Sequence, residues 1–499
     1  MTQHTGASHP RPPDDRPDRL LAGLTPEQAA AAAHGRGPLL LLAGPGSGKT
    51  RTLTHRVAYL LASGRAAPSQ ILAVTFSVRA AGELRLRLAD LLGEQAARGV
   101  SAATFHAFCA RLLREHAGVF GRTHAYTIYD QADLRHVIER LLSDPGRAEI
   151  QQALASCGRP ATAELEHQIS LAKGRLLTPE EVESPVGPAA GALLASVWRA
   201  CERELERCNA FSFDDLLVYS VRLLAEHPQR LMRVRRRWRW LVVDELQDTN
   251  EAQAALLALL AGPAGNLTAV GDDDQLIYRF RSAEARNILR FAERYPGHRH
   301  IVLGSNFRSR AEILHAAVSC VSHNPARTAK TLLATRGAGG RVEVHGFGHE
   351  HEEATWVAGE IADALAAGTA PSEILVLART GYASGPIQLA LAAAGIAHCV
   401  LGSLGLYERA EVRDAIAYLA LLANPADAQA FRRAVQAPRR GIGPASADLL
   451  IAAARAQHHS DLITASARAH VLAGIRSEPA RERCLGGRRA GNWGGSRRP

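Results

Sequence analysis

The chain has 499 residues, 46% of them hydrophobic and only 5% aromatic. That length exceeds what one hydrophobic core serves, so three or four domains are expected. Lysine and arginine outnumber the acids 59 to 49, giving a formal charge of +10, which suits a polyanionic partner, solvated arginine-rich faces being the competing reading. Cys109, Cys157, Cys201, Cys208, Cys320, Cys399 and Cys484 form no C-x-x-C pair; this speaks against a disulfide or zinc framework and for a reducing, cytoplasmic interior. No apolar run reaches bilayer length, and MTQHTGASHPRPPDDRPDR lacks the apolar segment of a signal peptide, so no membrane partner is expected.

In chain order, residues 1–18 are rich in Pro, Asp and Arg and read as a disordered tail. From Leu24 the text is globular. Over residues 38–116 short apolar runs, Leu39–Ala43 and Ile71–Val74, alternate with helical patterns. This alternation predicts βα units, a parallel sheet and an α/β fold. Residues 117–210 lose the strand-like runs; LRHVIERLL and SVWRACERELERC have helical periodicity, so the span reads as a helical insertion. Strand signals return at LVVDE (241–245) and TAVGD (268–272). Three more follow at HIVLGS (300–305), RVEVHGF (341–347) and EILVLAR (373–379), and these are assigned to a second αβ unit. From Arg413 the pattern is helical, with a Pro/Gly corner at PRRGIGP (438–444). The final CLGGRRAGNWGGSRRP is Gly/Arg-rich without periodicity, and reads as a disordered tail or as out-of-frame text.

Three stretches carry chemistry. GPGSGKT (44–50) lies between an apolar strand and the helical RTLTHRVAYLL, and reads as the phosphate-binding loop G-x-x-x-x-G-K-[ST]. Gly44, Pro45, Gly46, Ser47 and Gly48 would wrap backbone N–H groups around phosphates at a helix N-terminus. Lys49 would reach the β/γ-phosphates of ATP, and Thr50 would ligate Mg²⁺. LVVDELQDTN (241–250) delivers two adjacent acids at the end of an apolar strand. Asp244 would hold Mg²⁺ and Glu245 would act as general base toward the attacking water. GDDDQLIYRFR (271–281) crowds three carboxylates against two aromatics and two arginines. The acids suit a metal or a nucleophilic water; Tyr278 and Phe280, with Arg281, suit stacked bases and phosphates, core packing being the competing reading for the aromatics. Two further clusters are discounted. HGFGHEHEE (345–353) lacks metal-ligand spacing, and RVRRRWRW (233–240) reads as a solvated helix end before a strand.

DELQDTN followed by VGDDDQLIYRFRSAE resembles motifs II and III of the UvrD/Rep/PcrA helicases of superfamily 1. LTPEQAAA (24–31) is similar to their Q motif, ILAVTFSVRAAGEL (71–84) to motif Ia, ATFHAFCARLLR (103–114) to motif Ib and SNFRSRAEIL (305–314) to motif IV. FSFDDLL (211–217), LGLYERAEVRDAIAYL (404–419) and PRRGIG (438–443) match further family segments, so the likeness runs in order from Leu24 to Pro444. The resemblance implies two RecA-like parallel-sheet domains of the P-loop NTPase type with helical insertions, ATP between them, and single-stranded DNA and duplex/single-strand junctions as partners. It also implies 3′–5′ movement on DNA in repair or replication. Position by position, Gln28 would read adenine, with Phe307 and Arg51 on either side of its ring. Gln275 would sense the γ-phosphate, and Arg308 would reach it on closure. Phe76, Thr104, Phe105, His106, Tyr278 and Phe280 would line the DNA path.

The implied domains are a tail at 1–18, a first RecA-like domain at 19–116 and 211–299, and a helical insertion at 117–210. A partial second RecA-like domain follows at 300–412, then a partial helical domain at 413–477 and a tail at 478–499. Leu276 and Ser282 stand where the family has small residues. Motifs V and VI are not found before Pro499, so the second RecA-like domain is expected to be incomplete and the chain truncated. The alternative reading is a non-catalytic ATP- and DNA-binding remnant of such a helicase.

Overall fold

A computed structural model describes residues 16–184, 186–262, 265–276, 286–324, 327–328, 330–401, 409–456 and 461–466. Tyr278, Phe280, Arg281, Ser282 and most of both expected tails lie outside the described residues. Within the expected N-terminal tail, Arg16–Arg19 forms one short helical turn. The chain divides into two units, one of Met1–Gly339 with Asp414–Pro499, the other of Gly340–Arg413.

The first unit is built on a parallel sheet. Its strands are β1 (Leu39–Ala43), β2 (Ile71–Thr75) and β3 (Ser101–Thr104); a separate pair, β4 (Thr127–Tyr129) and β5 (Ala210–Ser212), intervenes before β6 (Trp240–Val243), β7 (Asn266–Gly271) and β8 (Arg299–Leu303). The six-stranded order is β3-β2-β6-β7-β1-β8. Every residue of β1, β2 and β6 is buried, as a parallel sheet covered on both faces requires; this is why these strands read as unbroken apolar runs. Side chains alternate between two cores. Leu40, Leu42, Leu72, Val74, Leu241 and Val243 face one, and Leu39, Leu41, Ile71, Ala73 and Val242 face the other.

The HIVLGS strand corrects the sequence assignment. β8 belongs to this sheet, with Leu41 paired to Ile301 on one side and to Val270 of β7 on the other. A central strand has two hydrogen-bonding edges to fill, and chain order does not reveal which later strand fills the second. β8 runs into β9 (Ser305–Asn306), which pairs with β10 (Leu333–Ala334) in a separate two-stranded sheet, so the segment after Gly304 continues directly from the edge strand of the six-stranded sheet.

Helices Gln131–Ser143, Ala148–Cys157, Thr162–Gly174 and Pro188–Arg207 form the expected insertion. Their core also takes in Ala417, Leu421, Phe431, Leu450 and Ile451 from the C-terminal helices. Tyr129 donates to Asp427 at 2.7 Å, Asn424 donates to Thr127 at 2.9 Å, and Arg455 donates to the buried Glu204 at 3.1 Å. Two helical blocks that the sequence separates by 200-odd residues thus share one core. Lys173, also buried, is paired with Asp215 and Glu202 and ties the insertion to the segment after β5.

In the second unit, helices Glu350–Ala366 and Gly381–Ala393 pack through Ala354, Ala358, Ile361, Ile387 and Leu391. The strands expected at 341–347 and 373–379 are not formed; Val344 is 95% and Leu377 86% exposed. A strand exists only with a partner ladder, and no described residue of this unit supplies one. No helix among the described residues is long and apolar enough to cross a membrane.

Candidate functional site

The carboxyl ends of β1, β2, β3, β6 and β7 lie along one edge of a parallel sheet, where α/β folds bind ligands. Gly44, Pro45, Gly46, Ser47 and Gly48 link β1 to the helix Lys49–Ala62. The full loop spacing starts at Ala43 rather than at a glycine. Ala43 is the last residue of β1, in ordinary strand conformation, and needs no glycine. Gly46 and Gly48 do need one: their φ angles are +70° and +82°. A Cβ on Gly46 would also lie 2.6 Å from Cβ of Arg308.

The loop is braced from two sides. Ser47 donates its hydroxyl to the Gly44 carbonyl at 2.7 Å, and Gln28 donates its amide to the Ser47 carbonyl at 3.0 Å. The Gln28 carbonyl oxygen accepts from Thr25 N–H at 3.2 Å and closes a capping box on the helix Pro26–Ala32. Gln28 is buried, and one N–H and one lone pair of its amide brace the loop and the helix start. From the other side Asn306 donates to the Pro45 carbonyl at 2.6 Å and Phe307 N–H to the Gly46 carbonyl at 2.8 Å. Phe307 and Arg51 are exposed, and Arg51 donates to the Gly23 carbonyl at 3.1 Å.

Lys49 Nζ lies 3.0 Å from Glu245 Oε2. The phosphate-binding cation and the candidate base therefore neutralise each other in the free chain. Gln247 donates to the same carboxylate oxygen at 2.8 Å. Glu245 sits in the left-handed region, φ +52° and ψ +53°, a conformation costing a non-glycine residue roughly 1–2 kcal/mol. Beside it, burial and then the Glu245 charge push the Asp244 carboxyl up to about 6, against the pull of Lys49. The same two causes push Asp248 up to about 7, and its Oδ1 is buried without a hydrogen-bond partner. A buried acid, Asp244, and a half-buried one, Asp248, whose Oδ1 is orphaned, fit a hard cation with oxygen ligands. Thr50 is the second residue of the helix that follows the loop and is half-buried.

The acidic triplet Asp272, Asp273 and Asp274 has a different occupant. Its oxygens converge as a metal-ligand set would, yet the ammonium of Lys330 stands among them. The three N–H bonds of Lys330 meet all three carboxylates, the one to Asp274 at 2.8 Å. Arg327 adds a bidentate pair to Asp274 at 3.0 and 2.9 Å, and Thr328 N–H donates to Asp273. Burial pulls Lys330 down, but hydrogen bonds to the three aspartates outweigh it and hold it above the ordinary lysine value. The metal reading of the triplet therefore fails: a fixed cation already fills it. Gln275 donates to Asp272 Oδ2 at 2.6 Å. Nothing in the sequence pointed to Lys330, Arg327 or Leu332, whose side chain packs on Gly44. Gln247, Asp248 and Asn306 lay inside quoted motifs but were given no role.

Along the same edge, Thr104 caps the helix Phe105–His116 by accepting from Ala107 N–H at 3.2 Å. Phe76 follows β2 and is partly exposed. Phe105 departs from expectation: it is 2% exposed within the core, so its ring cannot stack on a base. Phe105 opens a helix whose inner face, with Phe108, Cys109 and Leu112, packs into the core, and its ring is turned the same way. His106 is stacked on the exposed Phe213, ring centroids 3.7 Å apart, and burial lowers its pKa to about 4. Phe213, which the sequence left without a role, gives this edge its exposed aromatic surface. The acids and histidines of 345–353 form no metal-ligand set among the described residues; His345 instead pairs with Glu343 at 2.9 Å.

Two domain families match along the chain: UvrD/REP helicase N-terminal domain over residues 24–296, and UvrD-like helicase C-terminal domain over 301–470. The ATP-dependent DNA helicase UvrD1 of Mycobacterium tuberculosis is 41% identical over 451 residues, 88% of this chain and 57% of that protein. The ATP-dependent DNA helicase PcrA of Bacillus subtilis is 36% identical over 442 residues, 88% of this chain and 58% of that protein. PcrA of Staphylococcus epidermidis is 36% identical over 433 residues, 86% of this chain and 58% of its own length. The chain spans a little over half the length of these relatives. With its phosphate loop, adjacent acids and acidic triplet on one sheet edge, and the N-terminal domain match covering more than half of its residues, the chain belongs to the UvrD/REP helicase family.

Proposed function

We propose that the chain is an ATP-dependent DNA helicase or translocase of the 3′–5′ type, acting on single-stranded DNA and duplex/single-strand junctions in cytoplasmic DNA repair or replication. The observation that carries this reading is the Lys49–Glu245 pair at 3.0 Å, which puts a phosphate-seeking cation and a carboxylate base within one bond of each other. Nucleotide phosphates compete with Glu245 for Lys49. Glu245, released, keeps its orientation through Gln247 and accepts the proton of the attacking water. Asp244 and Thr50 would hold Mg²⁺, which supplies charge neutralisation for the phosphates. Asn306 and the Phe307 backbone hold the loop from the β8 side, and with its Cβ close to Gly46 Arg308 would reach the same phosphates. Gln275 follows the nucleotide state, and the aromatics of its segment grip the bases; stacking contributes about 1–3 kcal/mol per base whatever the sequence.

The test is steady-state ATPase of the 499-residue chain with and without single-stranded DNA, beside Lys49→Ala. DNA-stimulated turnover that disappears in Lys49→Ala supports the motor. Nucleotide binding with no turnover in the unaltered chain overturns it and leaves the non-catalytic remnant.

A further inference from the structure

The Lys330 ammonium stands on this edge and has no part in the nucleotide chemistry proposed above. Its side chain is 1% exposed, and those of Asp272 and Asp273 are 0%. Asp272 is a junction. Its backbone N–H donates to Gln247 Oε1 at 3.0 Å, and the other end of that amide holds Glu245. One carboxylate oxygen accepts from Gln275 at 2.6 Å, and the other accepts from Lys330. A continuous path therefore runs from the Lys49–Glu245 pair through Gln247 and Asp272 to Gln275, with Lys330 fixing its middle.

We propose that Lys330 is a positioning residue: by holding Asp272 as an oriented carboxylate, it sets Gln275 relative to the Lys49–Glu245 pair and so links nucleotide turnover to DNA. The inference rests on the helicase reading above. Its physical basis is local. A buried carboxylate with no cation takes up a proton or turns toward water. An Asp272 side chain turned away would no longer present its oxygen to the Gln275 amide. Arg327 cannot substitute for Lys330, because its fork is spent on Asp274.

The experiment compares K330M, K330R and R327M in the full chain by two readouts: hydrogen exchange of the backbone amides over 266–276, and kcat and KM for ATP with and without an oligo(dT) strand. The expected result for K330M is at least tenfold faster exchange at Asp272, Asp274 and Gln275, with the β1 amides unchanged. DNA-stimulated kcat falls at least tenfold and KM changes less than threefold. K330R recovers most of both losses, and R327M shows neither. Unchanged exchange and kcat in K330M, or an R327M variant that behaves like K330M, overturns the proposal in favour of a general tie-down of the 327–330 segment. Should K330M fail to fold, the isosteric D272N reads the same link: a tenfold lower kcat at unchanged KM supports it, and wild-type kcat overturns it. An unaltered chain without DNA-stimulated turnover sinks the helicase reading, while the exchange contrast still decides the role of Lys330.

Discussion

The two units hold similar strand-like text and do different things with it. LLLLA at 39–43 and EILVLAR at 373–379 are both short apolar runs between helices. The first is a fully buried central strand with a partner on each side. The second stays unpaired, with Leu375 at 71% and Leu377 at 86% exposed. The apolar run states a capacity; the ladder and the covering helices turn it into a strand. All the candidate chemistry sits where that condition is met, because a loop can hold Lys49 against Glu245 only from strands that do not move.

The largest expected effect tests whether the chemistry belongs to the first unit alone. Glu245→Gln removes the base while keeping its size, and turnover should fall on the order of 10³-fold with ATP binding retained. Glu350→Gln, at the start of the second unit's first helix, should leave turnover unchanged. Equal turnover in Glu245→Gln and the unaltered chain would refute the base assignment.

Stability gives the next largest contrast. Leu41→Ala, at a side chain with 0% exposure, should cost about 2–5 kcal/mol in urea unfolding. Leu377→Ala should cost within about 0.5 kcal/mol. Comparable losses at both sites would mean that the second unit's run is covered in solution.

Acid sharpens the comparison next. The His106 pKa is lowered to about 4 by burial. Between about pH 4 and the usual 6.5 the unfolded chain binds a proton that the folded chain refuses, so stability from this site rises with pH across that window. The part-exposed ring limits the effect to about 2 kcal/mol. His106→Phe should flatten that part of the profile, seen by urea melts at pH 4.5 and 7; an unchanged slope would sink the assignment.

The smallest effect concerns the unpaired edges. Leu377→Lys should shift unfolding by less than about 0.5 kcal/mol yet reduce light scattering on concentration, since exposed apolar edges template association. No change in scattering would show that 373–379 does not drive association.

What could be read from the sequence follows the same division. The strands β1, β2, β6 and β7 were legible because burial on both faces writes unbroken apolar runs. The phosphate loop and the acids at Asp244 and Glu245 were legible because backbone geometry and charge dictate their spacing. The membership of β8 was not, since which edge a strand joins depends on the whole sheet. Phe105 was misplaced for a related reason: an aromatic at a strand–helix junction can face the core or the ligand edge, and only the packed core decides. That the Gln28 amide also braces the loop was not legible, since its partner, the Ser47 carbonyl, is a backbone group that sequence does not mark. Lys330 was invisible because its three partners stand about 57 residues away in the chain, and a lone lysine in AKTLLAT carries no pattern.

The mutual neutralisation of Lys49 and Glu245 has a genetic consequence. On the proposed reading each nucleotide that binds would first have to part the pair, so the unaltered chain would give up some affinity. Glu245→Gln lifts that competition and also stops turnover. Such a variant should bind ATP more tightly than its parent and fail to let go. Expressed beside a normal copy, it should poison rather than merely be absent: the allele should be dominant. A recessive phenotype, or weaker nucleotide binding in vitro, would show that the pair does not restrain the free chain.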